Sequence, residues 1–242
     1  MLYRAGTFAI FTALYFMIND IHFPEELSAN ELDEYLARGW YRMGQVIFTT
    51  NYIVYEELLY RVWWLRYSIP AIQFSKTHQK ILAANRHFSV IIKPFRVTEE
   101  IEALYAVYKS SLIFEPSETV NHFLFDGGSG NIYDTGIIEI RDHQQLIAAG
   151  IFDKGHISIA GIMNFYHPDY KKYSLGKYLM LLKIRYANAM GKAWYYPGYI
   201  VDGNPRFDYK LFIGKTIAGI WSPEYNNWME YTSNRQVIEE EK

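Results

Sequence analysis

The sequence predicts an α+β fold, a mixed sheet with flanking helices, and three observations support this class. A capping box at Ser28 opens one predicted helix, and apolar residues recur at helical spacing between residues 98 and 111. Three apolar runs after residue 135 have the length of strands and are joined by polar turns. An amphipathic helix after residue 174 then leads into an aromatic strand near residue 195.

The first hundred residues are predicted to begin with a buried segment and a capped helix. The apolar run from Thr7 to Ile18 is too short to span a bilayer and no small-residue cleavage site follows it, which favours a buried strand or helix. Ser28 and Glu31 have the spacing of a capping box, and Gly39 ends the helix that this box opens. We expect strand in residues 40–55, a helix or a strand in 56–67 and a short helix in 75–84.

The middle of the chain is predicted to change from helices to strands. Residues 98–111 form an amphipathic helix whose inward residues are Ile101, Leu104, Tyr105 and Tyr108. A second helix is expected in 116–123, and residues 126–130 form a flexible loop. The predicted strands cover residues 137–140, 146–152 and 156–166.

The segment from Tyr166 to Lys210 contains the strongest local signals. Ser174 is placed to cap a helix through its hydroxyl, and Gly191 is placed to end that helix in a left-handed conformation. The buried face of this helix is predicted to consist of Leu175, Tyr178, Leu179, Leu182 and Tyr186. Free amides at the helix start, beside Lys171 and Lys172, suit an anion such as phosphate, although an ordinary core helix has the same spacing.

Composition excludes several classes of function. The chain has 242 residues, of which 50% are hydrophobic and 21% are charged, enough for one large domain or two small ones. It has no cysteine, which excludes disulfides and thiolate metal sites. The G-x-S-x-G and H-E-x-x-H signatures are absent, and the seven His are not spaced as metal ligands.

The charges are distributed unevenly along the chain. Residues 38–96 contain nine Lys and Arg against two acidic residues, and residues 97–142 contain nine acidic residues against two basic ones. Two interpretations fit this distribution. The basic segment could form a face that binds the phosphates of a nucleic acid, or its cationic side chains could pair with the acidic side chains of the second segment.

Three blocks of the chain resemble the aminoacyl-tRNA-protein transferases, the arginyl- and leucyl-transferases of the N-degron pathway. The first block, E-L-D…G-W-Y-R-M-G in 31–44 and L-R…S-K-T-H-Q-K-I-L-A-A-N in 65–85, resembles the family's E-L-D…G-W-R-R-x-G and L-R…S-K-S-Q-R-K-V-L-R-R-N. A second block between Thr135 and Asp169 follows the family's order. In the third block the family has S-L-G-x-Y, a helix, Y-L-G-Y-x-I, a loop with Pro, and M-x-Y-K. The residues of this chain that match that pattern are Ser174, Leu175, Gly176, Tyr178, Tyr196, Gly198, Tyr199, Pro205, Tyr209 and Lys210. The family's cysteine cluster is missing, so the chain resembles a cysteine-less relative.

The resemblance implies an architecture and a set of functional residues. It implies a GNAT-like (acyl-CoA N-acyltransferase-like) domain in residues 98–242, after a smaller, basic α/β region in residues 1–97. The implied catalytic residues are Tyr209 and Lys210, with Lys210 holding an acceptor-end phosphate or the substrate carbonyl. The implied substrate-binding residues are Ser174, Leu175, Gly176, Tyr178, Tyr196, Gly198, Tyr199, Glu139 and Asp153, and the implied tRNA-binding residues are Arg42, Arg66, Lys76 and Lys80. Structural roles, a turn cap for Asp153 and a strand-surface charge for Glu139, are alternatives for those two.

The implied activity is transfer of Arg or Leu from aminoacyl-tRNA to the N-terminal amine of a protein that begins with an acidic residue. It needs no cofactor, metal or membrane, and it takes place in the cytoplasm. The loss of the cysteines and of arginines at Gln79, Ala83 and Ala84 keeps a non-catalytic relative open. A CoA-dependent GNAT N-acyltransferase is the third candidate.

Overall fold

The computed structural model describes residues 19–55, 58–113, 116–128 and 130–232. The helices in these ranges are α1 (Ala29–Ala37), α2 (Lys76–Ala84), α3 (Glu99–Ser110), α4 (Val120–Phe125) and α5 (Leu175–Ala189). The strands are β1 (Asn19–His22), β2 (Tyr41–Met43), β3 (Val46–Thr50), β4 (Tyr52–Tyr55), β5 (Leu58–Ser68), β6 (Ser89–Pro94), β7 (Thr135–Asp142), β8 (Gln145–Lys154), β9 (Ser158–Tyr166), β10 (Trp194–Val201), β11 (Ala218–Ser222) and β12 (Asn227–Glu230). The predicted element in Thr7 to Ile18 lies outside the described residues. None of the helices above has the length and apolar character needed to cross a membrane.

The strands form one large mixed sheet and one small sheet. The large sheet has the order β12-β11-β5-β10-β9-β8-β7-β6, and β4 pairs with β5 beside it. Its β9–β10 pair is parallel, and the other described pairs are antiparallel. The small sheet has the antiparallel order β1-β3-β2. The predicted α+β class with a mixed sheet is confirmed, and the expected succession of three strands, one helix and a further strand is present as β7, β8, β9, α5 and β10.

Helices cover both faces of the large sheet. Side chains alternate between the two faces of a strand, so neighbouring residues on β7 belong to different cores. Ile138 packs in the core that contains α5, whereas Ile137 packs in the core that contains α3. The helix α5 is buried along most of its length because it lies between the sheet and α2.

Helix capping follows the sequence closely, with one exception. The capping box of Ser28 and Glu31 is formed, and Gly191 has the left-handed φ of +66° predicted after α5. The prediction that the hydroxyl of Ser174 caps α5 is wrong. Ser174 has φ 53° and ψ 43°, a left-handed conformation, and its side chain makes no cap hydrogen bond.

The two parts of the chain separated by the predicted boundary share the large sheet. β5 and β6 precede residue 98, and they pair with β10 and β7 from the later part. The division at residues 97 and 98 stays a prediction. The basic segment 38–96 and the acidic segment 97–142 were expected either to bind phosphates or to pair with each other. The ion pair between Lys93 Nζ and a carboxylate oxygen of Glu139, 2.7 Å apart, is an example of such pairing.

Candidate active site

Parallel pairing between β9 and β10 ends after three residues, and a gap opens there. Trp194–Tyr196 on β10 pair with Ser158–Ala160 on β9. From Gly198 onwards β10 pairs with β5 on its other side, while β9 continues along β8. The hydroxyl of Tyr41 lies across the start of the gap, 2.5 Å from the carbonyl oxygen of Gly161 and 3.0 Å from that of Tyr196. The divergence leaves backbone edges and side chains of both strands open to a substrate.

Two cavities meet at this gap. The first, which we call the basic cavity, has a volume of about 860 Å³ and is lined by Ile53, Tyr108, Asn164, Tyr166, Lys171, Ser174, Gly176, Lys177, Asn204, Arg206, Phe207, Tyr209 and Lys210. The second, the aromatic cavity, has a volume of about 510 Å³. Its lining includes Tyr41, Phe48, Trp64, Phe123, Tyr195 and Tyr199. Four residues line both cavities and form what we call the junction: Asn164, Phe207, Tyr209 and Lys210.

The basic cavity carries positive charge and aromatic rings. None of its lining residues is acidic. Four of them have basic side chains: Lys171, Lys177, Arg206 and Lys210. The first amides of an α-helix have no partner inside the helix, and at α5 the hydroxyl of Ser174 leaves them uncapped. Tyr108, Tyr166 and Tyr209 add ring faces on which a base can stack. The combination suits a ligand that contains both phosphate and a nucleobase.

The aromatic cavity combines rings and other apolar side chains with a few polar residues. Besides its aromatic rings it is lined by Met43, Ile162, Met163 and Met180, and by the buried Arg42 and the exposed His122. Its acidic residue, Asp126, is exposed, and one of its carboxylate oxygens lies 3.3 Å from the backbone nitrogen of Gln45. Such a lining accepts an apolar side chain without leaving a buried polar group unpaired.

Lys210 is the basic side chain at the junction. Its Nζ donates to the carbonyl oxygen of Tyr199 at 2.8 Å, and it lies 4.9 to 5.3 Å from the ring centroids of Tyr199, Phe207 and Tyr209. Burial lowers the pKa of Lys210 to about 7. The neutral amine keeps a hydrogen for Tyr199 and has a lone pair free to accept a proton. Lys210 is therefore suited to act as a base at neutral pH.

Tyr209 lies beside Lys210 and is a hydrogen-bond donor at neutral pH. Its side chain is 49% exposed because the ring faces the cavities. Desolvation of the hydroxyl, with smaller contributions from Tyr108 and Tyr199, raises the pKa of Tyr209 to about 12. The phenol therefore stays protonated during a reaction at neutral pH.

A buried lysine lies beneath the gap. Lys183 on α5 has no exposed surface, and its Nζ donates to the carbonyl oxygen of Ile151 at 2.7 Å, to Asn164 Oδ1 at 2.8 Å and to the carbonyl oxygen of Met163 at 3.3 Å. Burial lowers the pKa of Lys183 to about 7, and the charge of Asp153 opposes that shift. Neither Lys183 nor Asn164 was predicted from the sequence. The signal for Lys183 was available, because it lies between Leu182 and Ile184 in an otherwise apolar stretch of the helix.

Several of the predicted site residues come together at these cavities. Ser174, Gly176, Tyr209 and Lys210 line the basic cavity. Gly198 and Tyr199 line the aromatic cavity together with Tyr209 and Lys210. Ser174 and Lys210, which are distant in sequence, thus share one cavity, as a common reaction site requires.

Three of the predicted substrate-binding residues belong to the core instead. Leu175, Tyr178 and Tyr196 are 0%, 5% and 3% exposed, and none of them lines either cavity. Leu175 and Tyr178 form the buried face of α5, and Tyr196 packs against Trp228. Their part of the motif supports the walls of the site.

The two acidic residues predicted to bind an acceptor ammonium have internal partners. Asp153 is fully buried, accepts hydrogen bonds from Thr135 at 2.6 Å and from Arg42 at 3.0 Å, and burial raises its pKa. Both carboxylate oxygens of Glu139 are paired, one with Lys93 and the other with Arg141. Neither residue lines a cavity, and the structural alternatives are wrong in detail as well. Asp153 is a buried ion-pair partner within β8 and caps no turn, and Glu139 is buried in β7 and carries no surface charge.

The predicted tRNA-binding residues divide into two groups. Arg42 is buried, and its guanidinium donates to Gly44, Leu124, Thr135 and Asp153, which leaves it no exposed face for a tRNA phosphate. Arg66 lies between the rings of Trp194 and Trp228, 4.1 and 4.5 Å from their centroids. The expected contacts of Arg42 and Arg66 are thus replaced by packing. Lys76 and Lys80 are exposed on α2, and their role stays a prediction. Two of the four basic residues that line the basic cavity, Lys177 and Arg206, were not predicted from the sequence.

Comparison with known proteins connects this geometry to a family. The sequence model described as "Arginine-tRNA-protein transferase, C terminus" matches residues 99–215, which contain β9, α5, β10 and Lys210. The chain is 29% identical over 220 residues to an aspartate/glutamate leucyltransferase of Leptospira interrogans, covering 86% of this chain and 81% of that protein. It is 31% identical over 156 residues to an aspartate/glutamate leucyltransferase of a Shewanella species, covering 60% of this chain and 62% of that protein.

Among solved structures, the chain is similar to the ribosomal-protein-S18-alanine N-acetyltransferase from Escherichia coli. The TM-score is 0.32 and the identity 18%, over 43% of this chain and 62% of that one. The arginine-tRNA-protein transferase model covers β9, α5 and β10, which contribute lining residues to the two cavities. The chain is thus similar to aminoacyl-tRNA-protein transferases, through the family model over residues 99–215 and through the leucyltransferase relatives.

Proposed function

We propose that the chain transfers leucine from leucyl-tRNA to the N-terminal amine of proteins that begin with Asp or Glu. The observation that carries this proposal is the meeting of the basic and the aromatic cavity at Lys210. One side offers cations and rings for the end of the tRNA, and the other offers an apolar space for the side chain of the carried amino acid. The names of the leucyltransferase relatives agree with this choice.

The basic cavity supports the assignment of the acceptor end of tRNA to this side. Phosphates bind where helix amides and cationic side chains converge, and α5 begins here with Lys171 and Lys177 nearby. Tyr108 and Tyr166 provide stacking surfaces for the terminal base. The remaining positive charge, including that of Arg206, attracts the acidic first side chain of the acceptor protein.

The aromatic cavity favours leucine over arginine. An arginine side chain needs partners for five N–H donors, and the buried part of this lining consists mainly of rings and Met180. The buried charged residue of the lining, Arg42, is itself cationic and repels a second guanidinium. Leucine needs no such partners. Asp126 is placed at an exposed position, where its charge is screened by water.

The reaction follows from the groups at the junction. The neutral amine of Lys210 takes one proton from the acceptor's N-terminal ammonium, and the resulting amine attacks the ester carbonyl carbon of the aminoacyl-tRNA. An N–C bond forms and the C–O bond to the tRNA ribose breaks. The second proton of the attacking nitrogen passes to the leaving ribose oxygen, the third stays on the new amide, and Lys210 releases its proton to water. The main contribution of the protein is to hold the two reactants in the required orientation.

A transfer assay tests the proposal directly. Radiolabelled Leu-tRNA and Arg-tRNA are each incubated with the chain and with matched peptides that begin with Asp, Glu or Ala. We expect label from Leu-tRNA on the Asp and Glu peptides, and little label from Arg-tRNA or on the Ala peptide. Lys210→Ala should slow transfer by about 10²–10⁴-fold without unfolding the protein. Lys215→Ala, which removes an exposed lysine nearby, should leave the rate unchanged.

The same uncapped helix start supports one competing function. Helix amides beside Lys171 and Lys177 also suit the pyrophosphate of CoA. Failure to transfer from either tRNA, together with thermal stabilisation by acetyl-CoA, would replace our proposal with a CoA-dependent acyltransferase. Failure in both assays would identify a non-catalytic relative.

A further inference from the structure

Asn164 occupies the most central position of the site. It lies on β9 beyond the last residue that pairs with β10, and its side chain lines both cavities. Its partner across β8 is Gly150. A Cβ at Gly150 would lie 3.1 Å from Asn164 Oδ1 and 3.3 Å from Lys183 Cε, so the glycine leaves the space in which these two side chains meet.

Lys183 determines which end of the Asn164 amide faces the cavities. The contact at 2.8 Å joins Lys183 Nζ to Asn164 Oδ1, and an ammonium group can only donate. The neutral amine still has two hydrogens, enough for its two shorter bonds, to Asn164 and to the carbonyl oxygen of Ile151. The amide oxygen is therefore directed at the lysine, and the NH₂ group is directed away from it.

The NH₂ group of Asn164 has no hydrogen-bond acceptor among the described residues of the chain. Its nitrogen is also not among the buried polar atoms that lack a partner in those residues. An accessible donor on a side chain that lines both cavities is available to a ligand at the junction. The side chain is also fixed at its other end, so little entropy is lost when a ligand uses the donor.

We propose that Asn164 Nδ2 donates a hydrogen bond to the ester carbonyl oxygen as it gains negative charge, and that Lys183 is the positioning residue that orients the amide. The inference rests on the proposed function. In the attack described above, the electron pair of the C=O bond moves to this oxygen, and it returns when the C–O bond to the ribose breaks. A fixed donor stabilises the intermediate more than the neutral ester, which accelerates the chemical step.

Single-turnover transfer from Leu-tRNA tests this assignment. Asn164→Ala and Asn164→Asp should each slow the chemical step by about 10²–10³-fold, the loss typical of one missing oxyanion donor. The KM for Leu-tRNA should stay nearly unchanged, because the bond matters in the transition state. Asn164→Asp keeps the shape of the side chain and its acceptor for Lys183, so it separates loss of the donor from loss of folding. Asn188→Asp makes the same chemical change on the exposed side of α5 and should leave the rate unchanged.

A double-mutant cycle tests the role of Lys183. Lys183→Met should slow the chemical step in the wild type, and it should have almost no further effect in Asn164→Ala, because the amide that it orients is already gone. A lysine that only stabilises the fold would slow both backgrounds equally.

The possible results separate the two claims. Wild-type transfer with an unchanged rate in Asn164→Asp, or additive effects in the cycle, would overturn this inference and leave the proposed function standing. No wild-type transfer from Leu-tRNA would remove both.

Discussion

The lowered pKa of Lys210 leads to a specific dependence of the transfer rate on pH. Burial at the junction brings this pKa to about 7, whereas an ordinary lysine has a pKa near 10.5. The base is the deprotonated form, so the rate should fall as the pH decreases through 7 and should level off above it.

The expected size of the effect follows from the neutral fraction of Lys210. With a pKa of about 7, roughly a tenth of the molecules carry the neutral amine at pH 6 and roughly nine tenths at pH 8. The single-turnover rate at saturating acceptor should therefore rise about tenfold from pH 6 to pH 8 and little beyond. With an unperturbed lysine, the rate would still rise about tenfold for each pH unit at pH 8.

Two substitutions distinguish a base from a fixed positive charge. Lys210→Arg keeps the charge but cannot accept a proton at neutral pH, and we expect a loss of about 10²–10⁴-fold, similar to that of Lys210→Ala. In both variants the remaining rate should follow the ionisation of the acceptor amine, near pH 8. A Lys210→Arg variant with nearly wild-type activity, or a wild-type rate without a plateau above pH 7, would refute the role of Lys210 as a base.

Three further predictions concern the tRNA site, the core and the buried ion pair. Lys177→Ala should raise the KM for Leu-tRNA and reduce the slope of log affinity against log salt by about 0.7, the value for one lost contact with single-stranded phosphate, as measured by filter binding between 50 and 200 mM salt. An unchanged slope would place the phosphates elsewhere. Leu179→Ala removes a fully buried side chain from the centre of α5 and should lower the free energy of unfolding, measured in urea, by about 2–5 kcal/mol. The loss should be much smaller for Met190→Ala, which changes an exposed side chain. Asp153→Ala leaves Arg42 buried without its carboxylate partner and should lower the free energy of unfolding by about 3–5 kcal/mol. The folded protein should keep its KM for Asp and Glu peptides. A selective rise in that KM would show that Asp153 takes part in acceptor binding.

Local elements of this fold could be predicted because short-range chemistry determines them. The capping box at Ser28, the turn at Gly191 and the buried face of α3 depend on residues within one or two helical turns. Ser174 shows the limit of such reasoning. Its sequence context is that of a hydroxyl cap, but the entry of the chain from the segment Pro168–Tyr173 gives it a left-handed backbone in which no cap bond forms.

Charged residues were the least predictable from the sequence. Arg42, Glu139 and Asp153 had the composition expected of a polar site, and each has a partner from a distant part of the chain. Whether a charge faces a ligand or a buried counter-charge depends on which strands lie side by side, and charge sign alone contains no information about that.

The class of fold, the order of β7, β8, β9, α5 and β10, and the family resemblance that points to Tyr209 and Lys210 were all predictable from the sequence. How these parts form a site is visible only in the folded structure. The divergence of β9 and β10 depends on long-range pairing, since β10 leaves β9 to continue along β5, which precedes it by more than a hundred residues. That divergence lets Asn164 line the same two cavities as Lys210, and burial of α5 against the sheet places Lys183 within hydrogen-bond distance of Asn164. Contacts of this kind arise from the packing of distant segments, so no local pattern in the sequence reveals them.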